Sequence, residues 1–108
     1  MKTTVEERIQ IRTSPAAAWA VLGDFGGLAG WFPVVAASRV VGSGVGAVRH
    51  LTMADGKVLE ERQESRDEAQ RCYTYSMVGD VLPMTGYLSE IRVNPAPEGC
   101  EVVWRASF

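Results

Sequence analysis

Apolar and polar residues alternate on either side of a short turn in the stretch from residue 46 to residue 63. The turn, at residues 54–56, together with a period of two on both sides, predicts a β-hairpin. Two registers are compatible with this turn, and the side chains distinguish between them. A two-residue Asp-Gly loop would place Leu51 opposite Glu60, which mixes apolar and charged residues on both faces.

The alternative is a three-residue loop in which Gly56 adopts the left-handed conformation of a G1 bulge. It places Leu51 opposite Leu59 and Arg49 opposite Glu61. Because a slip of one residue exchanges the two faces of a strand, the register with the cleaner segregation is favoured. The hairpin is therefore predicted to have one apolar face that carries a single opposed arginine–glutamate pair.

Similar patterns predict the elements outside the hairpin. They are a strand at residues 4–12, short helices at 16–22 and 24–31, and strands at 34–41, 70–78, 85–93 and 100–108. Ser14-Pro15 is typical of a helix N-cap followed by proline at the first helical position. Residues 66–69 are predicted to form a charged turn, and Leu82-Pro83 a break in the chain. Everything after residue 33 is thus predicted to be β-structure connected by hairpins.

Composition and charge exclude several classes of protein. A chain of 108 residues is long enough for one domain with a real core, and a net charge of −2 without a basic run disfavours nucleic-acid binding. No apolar stretch reaches the roughly 18–20 residues of a membrane span, and the polar N-terminus is not typical of a signal peptide. The cytoplasm is therefore the expected location. The alternation along their strands places Cys72 and Cys100 on opposite faces, so no disulfide is predicted between them.

A further signal is an ordered series of residues that extends over nearly the whole chain. The series is Ser14-Pro15, Trp19, Phe25, Leu28, Trp31-Phe32-Pro33, Gly44-Val45-Gly46, Val48-Arg49, Asp55-Gly56, Glu61-Arg62, Tyr73 to Tyr75, Leu82-Pro83, Tyr87 and Trp104. It resembles the helix-grip superfamily, also called START-like, Bet v 1-like or SRPBCC. Within that superfamily it is most similar to the polyketide cyclase/dehydrase and lipid-transport branch.

The resemblance implies an α+β domain, in which a curved antiparallel sheet of six to seven strands, with two short N-terminal helices, grips a long C-terminal helix around a ligand cavity. The sequence ends at Phe108, inside the last predicted strand, so the long helix is expected to be missing. We expect residues 1–108 to be a single START-like domain truncated at its C-terminus, unless something else takes the place of the helix. Without a cover, an apolar face is expected to be exposed, and a homodimer through this open sheet face is one expected consequence. The face consists of Ile9, Ile11, Tyr75, Ile91, Trp104 and Phe108.

Arg49 and Glu61 are the sharpest candidates for chemistry. An arginine on an apolar face needs a partner, because an unpaired buried charge is very costly, and the opposed glutamate supplies one. A purely structural ion pair fits this pattern. Catalysis fits it equally, with Glu61 as general acid or base, Arg49 stabilising an enolate or binding a substrate oxygen, and Tyr87 donating a proton. Plant members of the superfamily that rearrange a small sulfur compound are similar in using an arginine and a glutamate.

Apolar and aromatic side chains on the predicted inner faces are candidates for the lining of a ligand cavity, and an ordinary core would have the same pattern. The candidates are Trp31, Leu51, Met53, Leu59, Tyr73, Tyr75, Met77, Tyr87 and Trp104. His50 is the sole histidine, and it is predicted on the polar face opposite Glu60. A single histidine excludes a histidine-rich metal site, so no metal is expected. No cofactor is expected either.

Three functions remain open. The first is binding of a small hydrophobic ligand, such as a lipid, a polyketide or an aromatic metabolite. The second is an enzyme of the cyclase, dehydratase or isomerase type that uses Arg49 and Glu61 as an acid–base pair. The third is a dimerisation or scaffold domain without a ligand. The polarity of the cavity distinguishes the first two, because an enzyme needs several polar groups aimed at one point and a carrier needs few.

Overall fold

The computed structural model describes residues 2–79 and 86–108. Within these residues lie seven strands, one α-helix and one 3₁₀ helix. The strands are β1 (Thr4–Ile11), β2 (Val35–Val41), β3 (Val48–Met53), β4 (Val58–Asp67), β5 (Cys72–Met77), β6 (Leu88–Ala96) and β7 (Gly99–Ser107). The helix α1 spans Pro15–Leu22, and the 3₁₀ helix spans Phe25–Gly30. The break predicted at Leu82-Pro83 and the strand start predicted at residue 85 lie outside the described residues.

The seven strands form one antiparallel sheet in the order β1-β7-β6-β5-β4-β3-β2. Each strand from β2 to β7 pairs with its neighbour in sequence, whereas β1 pairs with β7. The two helices therefore carry the chain from one edge of the sheet to the other. They pack on one face of the sheet, called the inner face below. This architecture confirms the predicted curved antiparallel sheet with two short helices before residue 34.

Local sequence explains how the two helices begin and differ. The backbone N–H of Ala17 donates to Ser14 Oγ at 3.1 Å, and Pro15 occupies the first turn of α1, as predicted. The second helix is a 3₁₀ helix, and its Asp24 cap residue makes no side-chain capping bond. Three glycines in six residues weaken helical propensity there. In the part of the chain that the structure describes, no helix has the length and apolar character needed to cross a membrane.

The register of the β3–β4 hairpin is the one that the side-chain pattern predicts. Arg49 lies opposite Glu61, and Leu51 lies opposite Leu59. Gly56 has a φ of +91°, in the left-handed region that favours glycine. The predicted G1-type loop is therefore confirmed, and the hairpin presents its apolar face, with the arginine–glutamate pair, to the interior.

Strand β4 extends beyond its predicted end. Arg66 was predicted to lie in a turn, but it pairs with Tyr73 in the ladder between β4 and β5. The ladder shifts register between Gln63 and Ser65, and this irregularity turns Arg66 toward the inner face. There its Nη1 donates to the Gly23 carbonyl at 2.7 Å. The prediction is wrong for Arg66 and Asp67, because a contact distant in sequence stabilises this end of β4, whereas Glu68 and Ala69 do lie in a turn.

The hydrophobic core lies between the inner face and the helices. Its buried members include Ala18, Phe25, Tyr73, Tyr75, Ile91, Val93, Cys100 and Val102. The prediction that the apolar face is exposed is wrong for Tyr75 and Ile91, whose exposed fractions are only 2% and 1%. These two residues are covered because α1 and Trp31 pack over the sheet. Ile9, on the edge strand β1, remains 60% exposed.

Candidate functional site

Arg49 is buried on β3 beneath the 3₁₀ helix, with 1% of its surface exposed. Its Nε and Nη2 atoms lie 2.8 and 2.7 Å from Glu61 Oε1. Its Nη1 atom donates to the Tyr73 hydroxyl at 3.1 Å and to the Phe25 carbonyl at 3.3 Å. One side chain thereby connects β3, β4, β5 and the start of the 3₁₀ helix.

Aromatic rings surround the same guanidinium. Its central carbon lies 4.3 Å from the centroid of the Phe25 ring and 4.5 Å from that of Tyr75. Cation–π contacts of this kind are stronger when water is excluded. Burial raises the pKa of the Tyr73 and Tyr75 hydroxyls, so both stay neutral at physiological pH. The negative charge that balances Arg49 is therefore the carboxylate of Glu61.

Glu61 uses one of its two carboxylate oxygens to hold Arg49. Both contacts with Arg49 involve Oε1, and within residues 2–79 and 86–108 no hydrogen bond reaches Oε2. Burial raises the pKa of the Glu61 carboxyl above its ordinary value, and the nearby guanidinium opposes this shift. Such a carboxyl can accept a hydrogen bond from a ligand or exchange a proton with it.

Glu61 also lines a cavity of about 260 Å³, called the Glu61 cavity below. The other lining residues are Leu28, Phe32, Val35, Leu51, Met53, Leu59, Tyr75, Met77, Tyr87 and Trp104. The Tyr75 hydroxyl accepts a hydrogen bond from Trp104 Nε1 at 2.8 Å, and the Tyr87 hydroxyl accepts one from Ser89 Oγ at 2.9 Å. Because each phenol is an acceptor in these bonds, its own proton is left for another acceptor. The cavity is thus apolar with a few polar groups at its wall.

A second apolar hollow lies beside β1 and is called the β1 groove below. It has a volume of about 370 Å³ and is lined by Glu7, Arg8, Ile9, Ile11, Leu22, Trp31, Ile91, Val102 and Trp104. Among the described residues, Trp104 is the one that lines both hollows. The centroids of the Phe32 and Trp31 rings lie 5.1 and 5.7 Å from that of Trp104. These three rings separate the Glu61 cavity from the β1 groove.

The structure brings together most of the residues predicted to line a ligand cavity. Those that line the Glu61 cavity are Leu51, Met53, Leu59, Tyr75, Met77, Tyr87 and Trp104. Trp31 lines the β1 groove instead, and Tyr73 lies in the core beside Arg49. Among the catalytic candidates, Glu61 and Tyr87 line the cavity, whereas Arg49 lies behind Glu61 and holds it.

One wall of the Glu61 cavity was not predicted. It comes from the 3₁₀ helix, the loop after it and the first residue of β2, which contribute Leu28, Phe32 and Val35 respectively. The spacing of four between Leu28 and Phe32 was a signal that both could share one face of a helical turn. Nothing in the local pattern indicates that this turn packs against β3 and β4, because that contact depends on the path of the whole chain.

The sequence profile of the family described as "Polyketide cyclase / dehydrase and lipid transport" matches residues 2–108. This chain belongs to that family. The protein XoxI from Bacillus cereus is 34% identical, and the match covers 98% of this chain and 72% of that one, with a TM-score of 0.79. A protein from Thermobifida fusca is 30% identical over 95% of this chain and 71% of that one, with a TM-score of 0.86.

The fold of this polyketide cyclase/dehydrase family extends to more distant proteins. Norcoclaurine synthase from Thalictrum flavum, solved in complex with dopamine and hydroxybenzaldehyde, is 20% identical over 99% of this chain and 69% of that one, with a TM-score of 0.78. At this identity the likeness shows the fold alone. The predicted family and its helix-grip fold are confirmed. No curated protein matches the chain in sequence.

Proposed function

We propose that this protein binds a small hydrophobic ligand, of the lipid, polyketide or aromatic-metabolite class, in the Glu61 cavity. The observation that carries the proposal is an apolar cavity whose wall contains a buried carboxyl with one oxygen free of hydrogen bonds in the described residues. Ligand sites typically combine apolar walls with a few placed polar groups in this way. Membership of the polyketide cyclase/dehydrase and lipid-transport family supports the same function.

The size of the cavity narrows the choice of ligand. Small-molecule sites usually have volumes of about 300–1,000 Å³. The Glu61 cavity, at about 260 Å³, lies just below that range. It suits a compact molecule with one or two rings better than a long acyl chain. The carboxyl of Glu61 and the phenols of Tyr75 and Tyr87 favour a ligand that carries a hydroxyl or carbonyl group.

Calorimetric titration with 4-ethylphenol and 4-propylphenol tests the proposal. These probes combine an apolar ring with a hydroxyl that can donate to Glu61. Glu61→Gln should weaken binding by about 10- to 100-fold, because hydrogen bonds to charged groups contribute about 1.5–3 kcal/mol. Glu60→Gln is the matched control, since Glu60 is the preceding residue of the same strand and lies 3.2 Å from His50 on the other face. Equal affinities for the two variants would contradict binding at Glu61.

Catalysis is a second candidate function, favoured by the geometry of Glu61. Arg49 fixes Oε1 of Glu61, and burial raises the pKa of the Glu61 carboxyl. The Tyr87 hydroxyl lines the same cavity. A general base with these properties can take a proton from the carbon next to a ligand carbonyl, while a phenol donates to the carbonyl oxygen. This chemistry would support a reaction of the cyclase, dehydratase or isomerase type.

Deuterium exchange tests this second function without knowledge of the natural substrate. 4-Phenyl-2-butanone in D₂O should exchange the protons next to its carbonyl faster with wild-type protein than with Glu61→Gln, as followed by proton NMR. Tyr87→Phe should slow the exchange by a larger factor than it weakens the binding of the ketone, because the phenol stabilises the enolate oxygen more than the carbonyl oxygen. Equal exchange rates for the wild type and Glu61→Gln would contradict a role of Glu61 as general base.

Location and assembly are further proposals. Cys72 and Cys100 are both free thiols, which is typical of a reducing compartment such as the cytoplasm. The exposed apolar residues Val5 and Ile9 on β1 favour a homodimer through this edge of the inner face. A dimer of this kind would cover the β1 groove and leave the lining of the Glu61 cavity unchanged. The alternative of a ligand-free scaffold predicts the same dimer without any affinity for the phenols.

A further inference from the structure

We propose that Trp104 is a specificity-determining residue that limits ligand length, because its side chain separates the Glu61 cavity from the β1 groove. The inference rests on the proposed binding function and adds to it a size limit for the ligand. It predicts that a change at one residue converts a site for compact molecules into a site for elongated amphipathic ones.

The first argument is the position of the ring. Trp104 lines the Glu61 cavity on one side and the β1 groove on the other. Phe32 lines the cavity, Trp31 lines the groove, and the rings of both pack against Trp104. A ligand that extends from Glu61 toward β1 therefore meets the Trp104 ring before it reaches the groove.

The second argument is that the ring is held in place. Its Nε1 donates to the Tyr75 hydroxyl at 2.8 Å, and Tyr75 is only 2% exposed. Moving the indole aside would leave a buried hydroxyl without its donor, which is costly in an apolar cavity. Contacts with Phe32 and Trp31 further restrict the ring. Trp104 is therefore a fixed wall in the folded protein.

The third argument is the difference in chemistry between the two sides. The Glu61 cavity has the carboxyl and the phenols, whereas the β1 groove is lined mainly by apolar side chains such as Ile91 and Val102. Its charged lining residues are Glu7, which pairs with Trp104 in the sheet, and Arg8. A joined site would thus have a polar end at Glu61 and a mostly apolar end in the groove. Together, the two hollows would have a volume well inside the usual range for ligand sites.

A series of 4-alkylphenols, from ethyl to nonyl, measures the limit by calorimetric titration. In the wild type, affinity should rise by about fourfold for each buried methylene and then stop rising at the length where the chain meets Trp104. In Trp104→Ala and Trp104→Leu the rise should continue through the longer chains. Trp104→Phe keeps a ring in the wall without its N–H, so the break should remain.

A second substitution locates the tail. Ile9→Asp places a charge in the β1 groove at an exposed position, where substitutions usually change stability by less than about 0.5 kcal/mol. When Ile9→Asp is combined with Trp104→Ala or Trp104→Leu, the added affinity for the long-chain phenols should disappear. The affinity for ethylphenol should stay unchanged. In the wild-type background Ile9→Asp should change no affinity in the series.

The wild-type profile decides the proposal even if the alanine variant does not fold. A rise in wild-type affinity through nonylphenol without a break would overturn it. So would a break at the same chain length in Trp104→Leu as in the wild type. If none of the phenols binds to any variant, the proposed function fails as well. If ethylphenol binds normally but the wild-type affinity rises through nonylphenol without a break, the role of Trp104 is refuted and the proposed binding function still stands.

Discussion

Burying the Arg49 guanidinium costs solvation free energy, which its contacts must offset. Glu61 supplies the opposite charge, and Tyr73 and the Phe25 carbonyl supply two acceptors. Removing the guanidinium would leave the Glu61 carboxylate in an apolar site without its partner. At the scale of single residues, the fold and the candidate site therefore depend on the same ion pair.

Replacing Arg49 by Ala should lower the free energy of unfolding by about 3–5 kcal/mol, the usual cost of removing one partner from a buried pair. Arg49→Lys should lie between the alanine variant and the wild type, because lysine keeps the charge but loses the fork that reaches Tyr73 and Phe25. The measurement is the urea midpoint. Arg39→Ala, at an exposed position on β2, should change stability by less than about 0.5 kcal/mol. Equal midpoints for wild type and both Arg49 variants would contradict a structural role.

The pH dependence of stability should reveal the raised pKa of Glu61. Burial raises this pKa above the ordinary value of 4.5, so the folded state binds the proton more tightly than the unfolded state. The stability that the folded state gains from this tighter proton binding is fully present below pH 4.5. It is lost as the pH rises through the pKa of Glu61 in the folded state. Wild type should therefore lose stability relative to Glu61→Gln over that interval, as measured by urea midpoints at several pH values. Glu60→Gln should show the same pH dependence of stability as the wild type. A rise in the stability of wild type relative to Glu61→Gln over that interval would contradict the predicted direction.

At the scale of elements, the β3–β4 hairpin fixes which residues face the interior. Its loop places Leu51 opposite Leu59 and Arg49 opposite Glu61. A two-residue loop would turn one strand over and place charged residues in the core. The conformation of Gly56 is thus linked to the composition of the candidate site, although Gly56 lies outside it.

Gly56→Ala should lower the free energy of unfolding by about 1 kcal/mol or more, because the φ of +91° is unfavourable for a residue with a Cβ atom. Gly30→Ala is the matched control. Gly30 does not have a positive φ, and an added Cβ would meet no atom within 4 Å. That variant should be neutral or stabilised by up to about 1 kcal/mol. A thermal unfolding comparison in which both variants behave alike would show that the loop does not require the left-handed conformation.

At the scale of the whole molecule, the sheet is covered unevenly. The helices and Trp31 cover the middle of the inner face, where Tyr75 and Ile91 are buried. Toward β1 the cover ends, and the exposed fractions of Val5 and Ile9 exceed half. Apolar side chains grouped at a sheet edge are typical of a surface that associates with another molecule.

The protein should form a dimer at micromolar concentration through this edge, which sedimentation equilibrium measures. Ile9→Asp should shift the equilibrium toward the monomer, because each interface would then contain two carboxylates. Val58→Asp is a suitable control, since Val58 is exposed on β4, far from β1 in the order of strands. A wild type that remains monomeric at these concentrations would contradict the predicted dimer.

Local features of the sequence were sufficient to predict the hairpin register, the Arg49–Glu61 pair and the Ser14 cap. These features depend on a period of two, on glycine conformation and on hydrogen bonds between residues close in sequence. Such rules determine which face a side chain occupies, but they do not determine what packs on that face.

Only the tertiary structure decided what covers the inner face and where the cavities lie. The burial of Ile91, the strand conformation of Arg66 and the wall containing Phe32 all depend on the path of the helices across the sheet. The same holds for Trp104. The alternation of residues along the last strand predicts that its side chain points inward, but it does not predict the two hollows that the ring separates. Contacts of this kind join residues far apart in sequence, so their free energy is a property of the whole fold.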